Sequence, residues 1–401
     1  MKSVPDIPTT RAVWLMRAYY LLWTGAGGFI FPFISLFYKQ QGLTGTQMGW
    51  LGTITSIVSL ISAPLLGRLS DKLSNPRKVL QFCLFGSAML MALLSQQSSF
   101  LWMAIIIGLE AFIGGPIYPL SDAQALMITN EKQGYGSIRL WGSLGWAITA
   151  FLGGLMVQRA GLVTVFIGYA TLYGICIFML QWIITSAGTA KKETDPQPSL
   201  KAVVRSLFRD RALIGLALSL AVLWLTANGR HHFETIYMQE LGASDQVIGW
   251  AYTYPALMEL PIMLWADRLM QKFSAGRLLA AGILLEGLSM LVIVIFPTLE
   301  SMLFMRAASG LYYSFYAIAS VAYAVERAPA AQAATVLSLY FVSLGGVIAL
   351  IASPISGAIY DRSGAYPLYV IAAVGALLAW LILVLTHPKA NQTSAQDFAP
   401  E

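Results

Sequence analysis

The chain has 401 residues, 57% of them hydrophobic and 11% charged, and its mean hydropathy is +0.67. Soluble domains carry about a quarter charged residues, so this composition cannot cover a water-facing surface and excludes a soluble enzyme, a nucleic-acid binder and a disordered chain. The formal net charge of +6 therefore has to be read by its placement along the chain before any acidic partner is considered.

Charge-free runs recur at residues 18–38, 80–109, 160–190, 328–361 (broken only by its closing Asp361) and 363–388. Each reaches the roughly 20 residues that cross a bilayer, and the longest hold two helices and a tight turn. In chain order the hydropathy predicts twelve helices, over residues 13–38, 46–67, 78–95, 99–121, 136–158, 162–185, 212–238, 247–266, 277–296, 300–325, 332–358 and 365–386. Internal breakers such as Gly27-Gly28 with Pro32, Gly114-Gly115-Pro116 and Pro354 are tolerated where neighbouring helices satisfy the freed backbone groups. The expected class is an all-α membrane protein. One connection, residues 186–210, is long, polar and charged, and divides the chain into six-helix units at 1–185 and 211–401.

With the N-terminus in the cytoplasm, eighteen of the 25 Lys and Arg residues fall in tails and inner loops, and only Lys39, Arg159 and Arg362 in outer loops. This asymmetry places both termini in the cytoplasm. The positive charge is thus topological and points to no nucleic acid. Residues 1–11 lead into a span that would serve as an uncleaved anchor. Cys83 and Cys176 lie in apolar runs and read as buried small hydrophobes, and the three histidines have no metal-ligand spacing. No cofactor or metal is expected. There is no nucleotide-binding loop, so energy would come from an ion gradient, protons or Na⁺.

The two halves repeat. Gly42-Leu-Thr-Gly-Thr-Gln-Met-Gly49-Trp50 matches Gly242-Ala-Ser-Asp-Gln-Val-Ile-Gly249-Trp250 at an offset of 200, as Ser143-Leu144-Gly145 matches Ser343-Leu344-Gly345. At 196, Asp71-Lys72 matches Asp267-Arg268, and Glu110-x-x-x-Gly114 matches Arg306-x-x-x-Gly310. The chain is a duplicated six-helix unit, and in transporters of that build substrate binds near the midplane where the halves meet.

Charged residues inside spans are the functional candidates, because a charge in hydrocarbon must face a cavity or a partner, or be neutralised. Glu110 in the fourth span, Asp122 just after it, Glu234 in the seventh and Glu259 in the eighth are candidate proton carriers. Arg306 in the tenth could recognise an anion with its planar fork, with Tyr313 seven residues on. It could equally pair with Glu110 or Glu286, or snorkel. Arg230 and Glu234 in the seventh are one turn apart, which suits a local pair or, with His231 and His232, an outer gate whose histidine titrates near physiological pH; Arg230 is also a candidate substrate residue. Tyr20 could line the cavity. Trp14, Tyr19, Trp102 and Trp182 read as interfacial belts.

Twelve spans, a central cytoplasmic loop, and Gly67-Arg-Leu-Ser-Asp71-Lys72 followed by Arg77-Lys78 resemble the major facilitator superfamily, whose inner-loop signature is Gly-x-x-x-Asp-Arg/Lys-x-Gly-x-Arg/Lys-Arg/Lys. Ser74-Asn75-Pro76 departs from it, and the second copy, Asp267-Arg268 to Arg277, is looser. The resemblance implies two pseudo-symmetric six-helix bundles, alternating access by a monomer, and a gating role for Gly67, Asp71, Lys72, Arg77, Lys78, Asp267 and Arg268. Within the superfamily, Tyr19-Tyr20, Pro32-Phe33 and Tyr135-Gly136-Ser-Ile-Arg139-Leu-Trp141-Gly142-Ser-Leu-Gly145-Trp146 resemble the branch of phenylpropionate permeases and of lactose and nucleoside proton symporters. In the lactose-permease pattern Arg139 would bind substrate and Trp146 stack on it. The partner carboxylate of that pattern falls on Ser121, with Asp122 adjacent, so Arg139 is either a substrate residue or an inner gate. The histidine and glutamate of the tenth helix have no match in Arg306–Tyr312. The expected activity is proton-coupled import of an organic anion across a membrane of bacterial inner-membrane type. The alternatives are a sugar or nucleoside symporter, an exporter of amphipathic compounds, and a transport-dead sensor.

Overall fold

A computed structural model of the chain describes residues 10–72, 76–129, 135–183, 210–328 and 333–387. The central loop, 186–210 by sequence, lies almost wholly outside these, with only Asp210 described as the cap of the helix that follows. Helix occupies every expected span, and no strand occurs among the described residues. The first span is Thr10–Ile30 continued by Ile34–Gln40, broken at Pro32, which has no N–H to donate. The second is Gly45–Lys72 and the third Pro76–Leu94. The fourth, Phe100–Gly114 and Ile117–Ile128, breaks at the Gly114-Gly115-Pro116 run. The fifth and sixth are Tyr135–Ala160 and Val163–Met179.

In the second half the seventh span is Arg211–Glu240, the eighth Asp245–Leu264 with Ala266–Lys272 after it, the ninth Ala275–Ile295 and the tenth Leu299–Arg327. The eleventh begins as Ala333–Leu337, widens to a π-helical Ser338–Leu344 and continues as Gly345–Ser363; the twelfth is Tyr366–Thr386. By length and apolar composition alone eight of the described helices suffice to cross a bilayer. The second, sixth, eighth and tenth spans fall short of that measure, being shorter or richer in polar residues.

The duplication is visible in detail. Gly42 and Gly242 have φ of +80° and +93°, which glycine adopts without penalty. Around the first, Gly42 N donates to Lys39 O and Leu43 N to Tyr38 O. Around the second, Gly242 N donates to Gln239 O and Ala243 N to Met238 O. This is the paired closure of a left-handed helix cap, copied 200 residues on, so the sequence match encodes the same turn twice.

The first span packs on the fifth and sixth and the seventh on the eleventh and twelfth, while the halves touch through the second with the eleventh and the fifth with the eighth. Small residues make these seams. A Cβ on Gly154 would lie 3.0 Å from Gly249 Cα, and one on Gly249 2.7 Å from Ala150 O. Thr253 Oγ1 donates to Ala147 O at 2.9 Å across the same seam. These contacts all lie on the side of the bundle away from the starts of the first and seventh spans, here the far side. There Lys39 pairs with Glu240 at 2.8 Å, and Asp361 accepts from Gly45 N at 2.5 Å and Thr46 N at 2.8 Å. The far side is closed.

The aromatic belt splits. Trp14, Trp102 and Trp182 are more than half exposed on the outside of the bundle, but Tyr19 is fully buried, its hydroxyl 2.8 Å from Ser121 Oγ. A tyrosine beside a polar partner in the core looks the same in sequence as one at the interface.

Candidate functional site

A cavity of about 540 Å³ lies between the halves. The first half contributes Tyr20, Trp23, Tyr118, Arg139 and Trp146, and the second Trp224, Arg230, His231, Tyr252, Glu259, Glu286, Arg306, Tyr312, Tyr313 and Tyr316. Aromatic rings with polar edges dominate the walls, and several of those edges are already engaged. Trp224 Nε1 donates to Tyr316 OH at 2.8 Å, and Tyr20 OH to Asp122 Oδ1 at 2.6 Å. Phe31 packs on Trp146 with ring centroids 5.3 Å apart, fixing the indole on the wall.

At the closed end four charges form one chain. Glu286 Oε1 lies 3.2 Å from Arg230 Nη2, Arg230 Nη1 lies 3.2 Å from Glu234 Oε2, and Glu234 Oε1 lies 3.2 Å from Arg306 Nε. Arg230 Nη2 also lies 3.0 Å from His231 Nε2, which must be the acceptor because a guanidinium has no lone pair to offer. Arg306 donates to Ala251 O at 3.1 Å and stacks 4.0 Å above the Tyr252 ring. Two arginines and two glutamates sum to zero charge. The partner of Arg306 is thus Glu234, neither Glu110 nor Glu286, because the seventh span turns its Arg230/Glu234 face toward both the ninth and the tenth. Arg230 and Glu234 do form their local pair, extended on both sides.

The open end is different. Arg139, four residues into the fifth span, and Glu259, five residues before the end of the eighth, line the cavity from opposite halves. Neither has an ion-pair partner within 4.0 Å among the described residues. Arg139 sits 5.8 Å from the Tyr118 ring centroid, and Tyr313, half exposed, lines the same space. Asp122 stands behind Tyr20, whose hydroxyl donates to it at 2.6 Å.

Glu110 is not on the cavity. It faces the third and sixth spans inside the first half, bonded to Ser87 Oγ at 2.6 Å. Of the gating motif, the side chains of Gly67, Asp71, Lys72 and Asp267 lie outside what the structure describes. Arg77 donates to Leu180 O at 3.4 Å and Gln181 O at 3.2 Å, a cation at the end of the sixth span. Lys78 and Arg268 are exposed. His231, expected at an outer gate, lines the cavity; nothing in the sequence marks Tyr252 or the Trp224–Tyr316 pair as cavity residues, since local spacing does not tell a cavity aromatic from a packed one.

Residues 13–371 match the MFS_1 like family. The chain belongs to that family. Over 385 residues it is 26% identical to the maltose permease of Geobacillus stearothermophilus, covering 94% of this chain and 95% of the permease. It is 23% identical over 313 residues to the multidrug resistance protein MdtG of Rahnella sp. (strain Y9602), covering 74% and 75% of the two. The crystal structure of the nucleoside transporter NupG superposes with a TM-score of 0.80 at 14% identity, over 94% of this chain and 99% of NupG. The fold is the two-bundle major facilitator fold, and the chain is a multi-pass membrane protein and a secondary transporter of that type.

Proposed function

We propose that the chain is a proton-coupled symporter for a small, uncharged, hydroxyl-rich solute with a ring that can stack. One observation carries this reading: Arg230 and Arg306, the cations that would select an anion, are already neutralised by Glu234 and Glu286. Beside Arg139 and Glu259, what remains on the cavity wall is mostly indole and phenol, surfaces that stack on sugar or base rings and whose N–H and O–H edges bond hydroxyls. The similarity to a maltose permease and to the fold of a nucleoside transporter points the same way. Trp146 and Tyr313 would stack on the solute and Arg139 donate to it. Glu259, unpaired on the cavity, would exchange its proton with the open side. A carboxylate solute remains the second reading, favoured by Arg139 alone, which has no anionic partner within 4.0 Å among the described residues.

The positive-inside asymmetry supports cytoplasmic termini in a bacterial inner membrane, so the open side faces the cytoplasm and this is the inward-facing state of a monomer. The bundles 1–185 and 211–401 rock about the cavity, linked through 186–210. The test is thermal unfolding of detergent-purified protein with maltose, uridine, benzoate and a lipophilic cation. Binding to the native state alone raises stability by about 2.7 kcal/mol at a hundred times Kd. Stabilisation by maltose or uridine that is lost in Trp146→Ala supports the proposal. Stabilisation by benzoate alone, lost in Arg139→Ala, replaces it with the second reading. A response to the lipophilic cation alone makes the protein an exporter of amphipathic compounds.

A further inference from the structure

Glu110 lies in the middle of the first half, apart from the solute cavity. Its Oε1 accepts a 2.6 Å hydrogen bond from Ser87 Oγ of the third span, and Ser87 Oγ is 2.8 Å from Tyr169 OH of the sixth. A serine hydroxyl has one proton; with Oε1 as the carbonyl oxygen and the acid proton on Oε2, Ser87 donates to Glu110 and Tyr169 is the donor in the second bond. The relay runs Tyr169 to Ser87 to Glu110. Space for the carboxylate comes from Gly114, one turn on, where a Cβ would sit 2.5 Å from Oε1.

Among the described residues, hydroxyl groups surround the carboxyl group. Tyr38 faces Glu110 from the first span, Tyr169 and Tyr173 from the sixth and Ser87 from the third. The second span offers the Ser62 hydroxyl, which is bonded to Ala111 O at 3.2 Å. Among the described residues no Lys, Arg or His comes within 4.0 Å of Glu110. Glu234 and Glu286 each have an arginine, while Asp122 has Tyr20 and Glu259 has the open cavity. An ionised carboxylate in a bundle interior without a cation costs several kcal/mol, and a bound proton removes that cost. The repeat sharpens the contrast. Arg306 occupies the matching place 196 residues on, and Tyr369 lies 200 residues after Tyr169. The same corner of the second half therefore holds an ion-paired chain, where the first half holds a single acid and hydroxyls.

We infer that Glu110, Ser87 and Tyr169 form a proton-binding site separate from the solute cavity, occupied in this conformation as the neutral acid. It deepens the proton coupling proposed above but does not depend on which solute is carried.

The test is infrared spectroscopy of the purified full-length chain in lipid nanodiscs at pH 7, reading the carbonyl band of protonated carboxyl groups. Wild type is compared with Glu110→Gln, Ser87→Ala and Glu259→Gln, each checked for a monodisperse, helical preparation. If Glu110→Gln fails that check, Ser87→Ala still reads the site. The expected result is loss of one band in Glu110→Gln, a shift of that band to higher frequency in Ser87→Ala as its hydrogen bond is lost, and its persistence in Glu259→Gln. An unchanged band in both Glu110→Gln and Ser87→Ala overturns the inference. A proteoliposome arm uses maltose and uridine as probes under an imposed pH gradient. If neither probe moves in wild type the solute reading fails, while the infrared result still decides the proton site.

Discussion

Asp361 ends the eleventh span and caps the second. Its Oδ1 accepts from Gly45 N at 2.5 Å, and its Oδ2 from Thr46 N at 2.8 Å and Thr46 Oγ1 at 2.6 Å. An anion at a helix N-terminus satisfies orphan N–H groups and meets the positive end of the dipole. The cap belongs to one half and the helix to the other, so these bonds exist only while the far side is closed. Asp361→Ala removes all three. A bond to a charged acceptor contributes about 1.5–3 kcal/mol when buried, but this carboxylate is exposed and water takes over part of its work. The net loss is that of a helix cap, about 1–2 kcal/mol. It falls on one of two conformations, so their ratio shifts by about 5–30-fold toward far-side opening. Spin labels at Ser98 and Glu300, exposed on opposite halves of the far rim, report this by pulsed dipolar spectroscopy as growth of a longer distance. Asp361→Asn, which keeps an acceptor but loses the charge, should fall between. A distance distribution unchanged in Asp361→Ala would refute the capping argument.

Three further outcomes follow from local geometry. Glu234→Gln leaves Arg306 with only Ala251 O and the Tyr252 face. An unpaired buried charge costs about 3–5 kcal/mol, so the melting temperature should drop sharply, and Glu234→Gln with Arg306→Gln should recover most of it. Gly154→Leu inserts a side chain where Asp245 O and Gly249 Cα already sit. Overpacking of about 1–3 kcal/mol should open the far side in the spin-label assay, whereas Gly174→Ala, which meets nothing within 4 Å, should not. His387, just past the twelfth span, lies with Nδ1 3.1 Å from Tyr323 OH. Burial first, then the Arg327 and Arg277 charges, hold its imidazole below the usual histidine range. The unfolded chain then binds the proton more readily, so the docking of this helix end is at full strength above about pH 6.5 and weakens as pH falls below it. Hydrogen exchange at residues 383–387 should show that loss, and His387→Gln should abolish its pH dependence.

The twelve spans and the division into halves were legible because hydropathy and glycine turns are local properties. Gly42 and Gly242 announce the same cap in the same sequence context, and Pro32 marks a break wherever the helix around it packs. The cavity was legible only in part. Arg139, Trp146, Glu259, Arg306 and Tyr313 do line one space, but which charges pair depends on helix rotation. The offset that matches Glu110 to Arg306 says that they occupy equivalent places in two different halves, and equivalence separates them in space. Arg306 instead meets Glu234, on a helix whose rotation no single-span pattern fixes. Asp361 interrupts an apolar run and in sequence is only that. Its meaning comes from Gly45 and Gly357 meeting backbone to backbone, which brings two helix ends from opposite halves together.

The distribution of polar interactions decides how such a molecule can move. Glu286, Arg230, Glu234 and Arg306 come from the seventh, ninth and tenth spans, all within the second half, and are buried to the point where breaking the chain strands a charge. That half is consequently stiff. Between the halves the links described are of another kind: glycine seams, threonine bonds from Thr253 to Ala147 O and from Thr53 to Leu350 O, and polar bridges at the far rim. The Lys39–Glu240 pair there is more than a third exposed on both partners, and exposed ion pairs contribute about 0–1 kcal/mol. Separating the halves therefore costs little at each point of the seam, because water resolvates the rim and small residues leave no large cavity. Deforming the second half costs far more, because it strands a buried charge. This favours motion at the seam, where the cavity lies, and supports the two-bundle rocking proposed above.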